Sequence, residues 1–379
     1  MNRSRRHVLF LIPTLTGGGA ERVIVTLLRH LDRSKFRLVL VVVNMRDAAY
    51  RADVPEDVEL IDLKYSRVRY AVPKIMRLIW QTRPDVVFST LGHLNLALAM
   101  IRPLLPNRVR YIGRETCVVS ENLKECTQPR VWGWAYRRLY PRFDIVVCQS
   151  LDMRDDLIGH FAFPPHKAVV IHNPVDVERI RRLATEVNLT SNECAASNAD
   201  IAPQLVAAGR LSHQKGFDLL IEALALCNGA RPRLTLLGEG PLRTDLEQLA
   251  KHRGVAHRVR FVGFQENPYP FFAQADAFVL SSRYEGFPNV MLEALACGTP
   301  VIATPAPGGV SEIAELAGGV VLAPAVDAGS LSVAIERFFG GETRTAPISL
   351  IPFHVDKIVE QYQKLLIDET LPKAADHGP

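Results

Sequence analysis

Thirteen short apolar runs, many of them followed by an amphipathic helical pattern, constrain this chain more than any other feature of its 379 residues. The first seven are Val8–Ile12, Leu38–Val43, Leu60–Leu63, Val86–Phe88, Arg110–Ile112, Ile145–Cys148 and Val169–Ile171. The other six are Leu205–Ala208, Leu234–Leu237, Val259–Val262, Phe278–Leu280, Val301–Ala303 and Val320–Leu322. Runs this short and this continuously apolar read as strands buried on both faces. Segments between them, such as Glu21–Leu31, repeat apolar residues at helical spacing. Strand–helix alternation implies open parallel sheets covered by helices, and the length suits two such α/β domains.

The alternation is interrupted once. After the turn signal His172-Asn-Pro-Val-Asp176, a polar stretch rich in Ala, Asn and Ser shows little strand or helical pattern. The expected division is a first domain over 1–180, a linker over 181–204 and a second domain over 205–350. Residues 351–379 then hold a final amphipathic helix, Val355–Asp368, and a polar tail expected to fray.

Composition narrows the class. A hydrophobic content of 48% describes a well-cored globular protein. No apolar run reaches the roughly 18 residues that a spanning helix needs. The basic start, Met1–Arg6, precedes an apolar run too short for a secretory signal, closed by Pro13 and then three glycines. The six cysteines, Cys117, Cys126, Cys148, Cys194, Cys227 and Cys297, form no Cys-x-x-Cys pair and no zinc spacing. They read as reduced thiols of a cytoplasmic protein.

Charge is unevenly divided. Residues 1–175 carry 27 Lys and Arg against 16 Asp and Glu, and the remainder 18 against 24, so +11 and −6 make up the net +5. Much of the basic charge is interleaved with large apolar residues, as in Lys74–Trp80, Arg102–Arg108 and Arg130–Tyr140. That mixture suits an anionic membrane surface. No nucleic-acid motif appears, and an acidic second half would repel a phosphate backbone, so no nucleic-acid partner is expected.

Five constellations lie at expected strand ends. In Glu285-Gly-Phe-Pro-Asn-Val-Met-Leu-Glu293, two carboxylates sit eight positions apart around a Gly and a helix start, with Pro288 suited to the first helical position. Helix amides there suit a phosphate, and the carboxylates suit sugar and ribose hydroxyls. In Gly209-Arg-Leu-Ser-His-Gln-Lys-Gly216, Arg210 and Lys215 bracket a short loop and together suit a diphosphate whose charge builds as it leaves. Gly238, with Gly263 and Phe264 at the next strand end, marks either a base and ribose contact or plain turns. In the first half, Gly17-Gly18-Gly19 opens a helix after the first strand, a place where backbone approaches a ligand closely. It is neither a dinucleotide fingerprint, since Arg22 replaces the third Gly, nor a P-loop. His93 and Asn95 follow another strand, and Arg114 and Glu115 a third; the latter two are either contacts or an internal ion pair. No Asp-x-Asp occurs, so no metal or other cofactor is expected; Arg210, Lys215 and helix amides take the cation's place.

As a set, Glu285-x7-Glu293, Gly209-Arg-Leu-x-x-Gln-Lys-Gly-Phe-Asp218, Asn173-Pro-Val-Asp176 and Gly17-Gly-Gly-Ala-Glu-Arg22 resemble the family 4 retaining glycosyltransferases of the GT-B fold, over roughly residues 7–365. The resemblance implies two facing Rossmann-like domains with an interdomain cleft, the first binding acceptor and the second nucleotide-sugar. It also implies that the final helix returns to the first domain. Arg210 and Lys215 would hold the donor diphosphate, Glu285 the sugar and Glu293 the ribose. Gly286, Phe287, Pro288, Asn289 and Val290 would approach sugar and phosphates through their backbone. Gly17, Gly18 and Gly19 would close over the reaction centre. His93, Asn95, Arg114 and Glu115 would meet the acceptor, with His93, Arg210, Lys215 and Glu285 carrying the catalysis. Front-face attack, the leaving phosphate taking the proton, needs no protein nucleophile.

Relatives with the Gly-Gly-Gly-Ala-Glu-Arg opening build bacterial surface polysaccharide on polyprenyl-diphosphate carriers. The implied activity is transfer from a UDP-sugar to a lipid-linked saccharide, at the inner face of the cytoplasmic membrane. The alternatives are a soluble transferase of the sucrose- or glycogen-synthase type and a catalytically inactive binding protein of the same fold.

Overall fold

The computed structural model describes residues 5–186, 202–342 and 345–367. Two compact units form, one of residues 1–174 with 355–379 and the other of residues 175–354.

The first unit is built on a seven-stranded parallel sheet: β1 (Arg6–Ile12), β2 (Phe36–Val42), β3 (Glu59–Asp62), β4 (Val86–Thr90), β5 (Arg110–Arg114), β6 (Ile145–Cys148) and β7 (Ala168–Val170). Its helices are α1 (Gly19–His30), α2 (Val68–Thr82), α3 (Gly92–Ile101), α4 (Val119–Lys124), α5 (Pro129–Leu139) and α6 (Leu151–Phe161). Along β1 the side chains alternate between two cores, because successive residues of a strand face opposite ways. Leu9 and Leu11 join Val39, Val41, Val87 and Tyr111 beneath α2, α3, α5 and α6. Val8, Phe10 and Ile12 join Leu38, Leu40 and Phe88 beneath α1 and the chain's last helix.

The second unit has a six-stranded parallel sheet: β8 (Gln204–Ala208), β9 (Arg233–Leu237), β10 (Val259–Gly263), β11 (Ala277–Leu280), β12 (Val301–Ala303) and β13 (Val320–Leu322). The helices in chain order are α7 (Val177–Thr185), α8 (Phe217–Leu226), α9 (Arg243–His252), α10 (Tyr269–Gln274), α11 (Asn289–Ala296), α12 (Val310–Ala317) and α13 (Ala328–Phe339), followed by α14 (Val355–Ile367). All thirteen expected strands are present, each displaced by at most two residues at an end, where a strand continues into flanking residues that still pair.

The strand orders place the loops that matter. The first sheet runs β3-β2-β1-β4-β5-β6-β7 and the second β10-β9-β8-β11-β12-β13. In each, the order reverses beside the unit's first strand, between β1 and β4 and between β8 and β11. Loops diverge at such a reversal and leave a crevice at the carboxyl ends of the strands. The loops concerned begin at Pro13, Leu91, Gly209 and Ser281.

The division of the chain differs from the expected one. Helix α7 belongs to the second unit, because Val177 and Ile180 are buried in its core with Phe271, Met291 and Phe353. The boundary therefore falls after Pro174 rather than at 180, and residues 351–354 also stay in the second unit. There the Val175 N–H donates to the Phe353 carbonyl at 2.8 Å. Of the expected linker, residues 187–201 lie outside the described residues.

Helix α14 completes the first unit. Val355, Ile358, Val359, Tyr362, Leu365 and Leu366 are buried on α1 and the sheet, with the Tyr362 ring 5.9 Å from that of Phe88. Arg6 Nη1 donates to the Leu366 carbonyl at 3.1 Å, and Arg110 Nη1 to that of Leu365. Ile358 is fully buried. We expect Ile358→Ala to cost about 2–5 kcal/mol of stability through lost burial and a residual cavity. Denaturant unfolding checks this, and a loss below about 0.5 kcal/mol would mean that α14 is not integral to this core.

Candidate active site

The second unit gathers its polar groups at the carboxyl ends of β8, β9, β10 and β11. The first three strand ends are stitched through glycine backbone: the Gly209 N–H donates to the Leu237 carbonyl at 3.0 Å and the Gly238 N–H to that of Gly263 at 2.8 Å. A Cβ on Gly238, at φ +131°, would lie 1.9 Å from the Gly209 carbonyl oxygen, so only glycine fits this close approach. Above this floor Arg210 is exposed, with no ion pair among the described residues. Phe264, beside Gly263, leaves 55% of its surface open.

Lys215 and Glu285 meet. The ammonium lies 2.6 Å from Glu285 Oε1, and the two side chains are 20% and 7% exposed. Ser282 Oγ donates to the same oxygen at 2.5 Å. Glu285 Oε2 has no hydrogen bond among the described residues. Neighbouring bonds fix the loops that bring the pair together. Arg283 forks onto Asp218 at 2.8 and 2.6 Å, and its Nη1 also donates to the His213 carbonyl at 2.8 Å. Burial raises the Asp218 pKa, but bonding to Arg283 outweighs it and holds the carboxyl below its ordinary value. Gln214 Nε2 donates to the Tyr284 carbonyl at 3.1 Å, and Ser281 Oγ to that of Lys215 at 2.9 Å.

A second cradle supports Glu285 from the loop after β12. The Glu285 N–H donates to the Pro307 carbonyl at 2.9 Å, and the Gly309 N–H to that of Gly286 at 2.8 Å. A Cβ on Gly308, at φ +114°, would meet the Glu285 carbonyl at 2.2 Å. Ser281, Ser282, Arg283, Gly308 and Gly309 were not among the expected site residues. The Pro-Gly-Gly after a strand was the available signal for the last two.

One expectation needs correction. Pro288 is the N-cap of α11 rather than its first helical residue. The Phe287 ring is buried, its centroid 5.6 Å from that of Phe353. Asn289 and Val290 open α11, and Glu293 lies one turn further on, 6% exposed.

In the first unit, the glycine loop is closed by its own helix. Both the Gly17 and Gly18 N–H groups donate to Glu21 Oε2, at 3.0 and 2.6 Å, and Thr14 Oγ1 donates to Oε1. A built-in carboxylate therefore occupies amides that the sequence offered to an external anion. Gly19 begins α1. Arg22 Nε donates to Tyr50 Oη at 2.8 Å, and that hydroxyl to the Gly17 carbonyl at 3.2 Å, which fixes the loop from outside.

His93 is exposed at the start of α3, though the protein packed around it lowers its imidazole pKa below the ordinary 6.5. Asn95, Arg114 and Glu115 are instead buried and bonded within the unit, which corrects the expectation of direct acceptor contacts. Asn95 Nδ2 donates to the Arg114 carbonyl at 3.0 Å and to Tyr140 Oη at 3.3 Å. Arg114 donates to Asn173 Oδ1 at 2.6 Å and Thr90 Oγ1 at 3.3 Å. Glu115 does not ion-pair with Arg114; it accepts from Tyr140 and Tyr136. Burial pushes the Glu115 pKa up to about 6, against the pull of those bonds and of the Arg114 charge.

Among the described residues no three His, Cys, Asp or Glu side chains come together as a metal site, and no helix is long and apolar enough to cross a membrane.

Residues 17–179 match the model for Glycosyltransferase Family 4, and residues 196–347 that for Glycosyl transferases group 1. The chain is 29% identical over 326 residues to the N-acetylgalactosamine-N,N'-diacetylbacillosaminyl-diphospho-undecaprenol 4-alpha-N-acetylgalactosaminyltransferase of Campylobacter jejuni, covering 80% of this chain and 81% of that one. Over 107 residues, 28% of this chain and 31% of the relative, it is 47% identical to the lipopolysaccharide core biosynthesis glycosyltransferase LpsE of Rhizobium meliloti. The crystal structure of Anabaena HepE in complex with UDP-glucose superposes with a TM-score of 0.76 at 20% identity, over 96% of this chain and 99% of that one. The chain belongs to the family 4 glycosyltransferases and has the GT-B fold. Its relatives include transferases of lipid-linked saccharides and of lipopolysaccharide biosynthesis.

Removing the ammonium would leave a nearly buried carboxylate with one hydroxyl donor. We expect Lys215→Met to lower stability by about 1–3 kcal/mol, the cost of an uncompensated polar group, and Glu285→Gln to recover part of that loss in the double variant. Additive losses in denaturant unfolding would show that the two groups do not interact.

Proposed function

We propose that this protein is a retaining, metal-independent glycosyltransferase that moves a sugar from a UDP-sugar to a lipid-linked saccharide during bacterial surface glycan synthesis. The observation that carries this reading is the Lys215–Glu285 pair, with Arg210 exposed in the same loop as Lys215. Arg210 and Lys215 are the cations for the diphosphate, stabilising negative charge as the bond between sugar and phosphate breaks. Glu285 spends Oε1 on Lys215 and Ser282 and offers Oε2 to a sugar hydroxyl. Glu293 takes the ribose hydroxyls, with the backbone of Gly286–Val290 against sugar and phosphates and Phe264 beside the base.

The acceptor hydroxyl attacks from the face that the diphosphate leaves, and the departing phosphate oxygen takes its proton. The anomeric configuration is then retained without a protein nucleophile. The Gly17–Gly19 loop and His93 serve the acceptor side. UDP is favoured because the similarly folded HepE has been crystallised with UDP and UDP-glucose. An undecaprenyl-diphosphate-linked acceptor is favoured by the name of the Campylobacter relative.

The test is a nucleotide-sugar panel in EDTA with membrane lipid extract, reading released nucleoside diphosphate and the anomeric configuration of the product. Transfer from a UDP-sugar with retention, falling at least about a hundredfold in Glu285→Ala, is expected; a lost transition-state contact of about 3 kcal/mol corresponds to that factor. Activity that returns only with added magnesium or manganese would overturn metal independence, and an inverted product would overturn retention.

A peripheral seat on the inner face of the cytoplasmic membrane completes the proposal. Its support is an exposed set of large apolar side chains, Trp80, Met100, Leu104, Trp132 and Trp134, interleaved in sequence with arginines. Helix α5 and the turn after it, Pro129–Arg142, contain Arg130, Arg137, Arg138 and Arg142 and no acidic residue. Flotation with phosphatidylglycerol-containing liposomes is expected for the wild-type protein. It should be lost when Arg130, Arg137 and Arg138 become Glu with Trp132 and Trp134 as Ser. Equal flotation of both would remove this surface from the account.

A further inference from the structure

Beneath the start of α3, a carboxylate and two phenols support a strained turn. Leu91, the N-cap of α3, has φ +75°, a conformation costly for a branched side chain. Such a residue keeps this conformation only where its surroundings over-determine it. The next residue, Gly92, has no room for a side chain, since a Cβ there would lie 2.2 Å from Tyr136 Oη and 3.5 Å from Glu115 Oε1. His93, the residue after it, is exposed.

The support is built from three elements. Glu115 follows β5 directly; its N–H donates to the Val147 carbonyl at 3.0 Å, and its own carbonyl accepts from Gln149 Nε2 at 2.6 Å. Its Oε1 accepts from the Thr116 N–H at 2.9 Å, and its Oε2 from Tyr140 Oη and, at 3.5 Å, from Tyr136 Oη. Tyr136 is on α5 and Tyr140 in the turn after it, their rings 4.4 Å apart. Asn95 on α3 donates to Tyr140 and, through Oδ1, is tied to Ser89 Oγ of β4 at 2.7 Å.

We propose that Glu115 is a positioning residue: its ionised carboxylate, through Tyr136 and Tyr140, holds the Leu91–His93 turn in the shape that receives the acceptor. This rests on the reading that the turn meets the acceptor. The groups that hydrogen-bond the carboxylate, the Thr116 N–H and the two phenols, are all donors, so the ionised form satisfies all of them. A protonated acid must donate through one oxygen, and one phenol then has to turn away. Tyr136 makes the longer bond and is the one lodged against Gly92, so protonation releases the turn. The charged and titratable groups facing the cluster are Arg114 on β5, Cys117 in the following loop, Cys148 on β6, Tyr136 and Tyr140. Burial pushes Tyr136, Tyr140 and Cys148 up, away from neutral pH. The folded-state pKa of Glu115 is raised to about 6, so the clamp is ionised well above that pH, half lost at it and lost as pH falls further.

The test compares wild type with Glu115→Gln, whose amide permanently mimics the protonated group, measuring transfer from pH 8 to pH 5 with the acceptor found in the lipid-extract panel. For wild type, acceptor KM should rise about tenfold over that range, as for one group titrating near 6, while donor KM stays constant. For Glu115→Gln, acceptor KM should already be high at pH 8, and the pH dependence that remains should be that of His93 alone. A parallel pH dependence in both proteins would overturn the proposal while leaving the transferase reading intact. Absence of transfer from any donor would count against the transferase reading instead. The clamp is then read without activity, from histidine NMR of 13C-labelled protein. His93 should show an inflection near pH 6 that Glu115→Gln removes and a second, its own, that survives; an unchanged His93 titration would refute the clamp. Tyr136→Phe, which keeps the ring and removes the hydroxyl, should raise acceptor KM at pH 8, and an unchanged KM would equally contradict it.

Discussion

A carboxylate at the end of a buried strand needs a counter-charge, and the second unit is arranged around that requirement. Glu285 is 7% exposed at its side chain, and Lys215, which answers it at 2.6 Å, is 70 positions away in sequence. Neither loop reaches the other unaided. The Arg283–Asp218 fork, the Ser281–Lys215 bond and the Pro307–Gly309 backbone all shape the two loops until the charges meet. Desolvating an ion pair is expensive, and retaining one at a strand end is more readily understood through chemistry than through stability. In the proposed reaction the pair is divided, the ammonium serving a diphosphate and the free carboxylate oxygen a sugar.

Topology explains why both units use the same places. Each sheet reverses its strand order beside its first strand, and the loops flanking the reversal carry Gly17–Gly19 and His93 in the first unit and Arg210, Lys215 and Glu285 in the second. The two units solve the electrostatics differently. The first presents a loop whose amides are already satisfied by Glu21. The second presents Arg210 exposed over a glycine floor. Amides that already hold a carboxylate are not offered to a phosphate, whereas exposed cations are.

Much of the fold was legible because doubly buried strands leave an unbroken apolar signature, and every such run became a strand. The division of the chain was less legible. Helix α7 has a strongly polar outer face and precedes the polar stretch, so its buried Val177 and Ile180 did not announce which unit they serve. The motif loops were found by their glycines and charges. Their partners were not, since Lys215–Glu285 and Glu115–Tyr140 depend on strand register that spacing alone does not reveal. Arg114 and Asn95 misled for a related reason: a polar residue at a strand end looks the same whether it faces outward or closes a network beneath the loops. Glu21, three residues after Gly18, was in the right place to cap that loop, and its spacing was the available signal.

The carboxyl ends of β8, β9 and β11 are the proposed nucleotide-sugar site, and a crystal structure with a bound UDP-sugar tests that assignment most directly. Diphosphate oxygens are expected within hydrogen-bond distance of Arg210 and Lys215, ribose hydroxyls on Glu293 and a sugar hydroxyl on Glu285 Oε2. A nucleotide bound elsewhere on the protein, or a diphosphate touching neither cation, would contradict it.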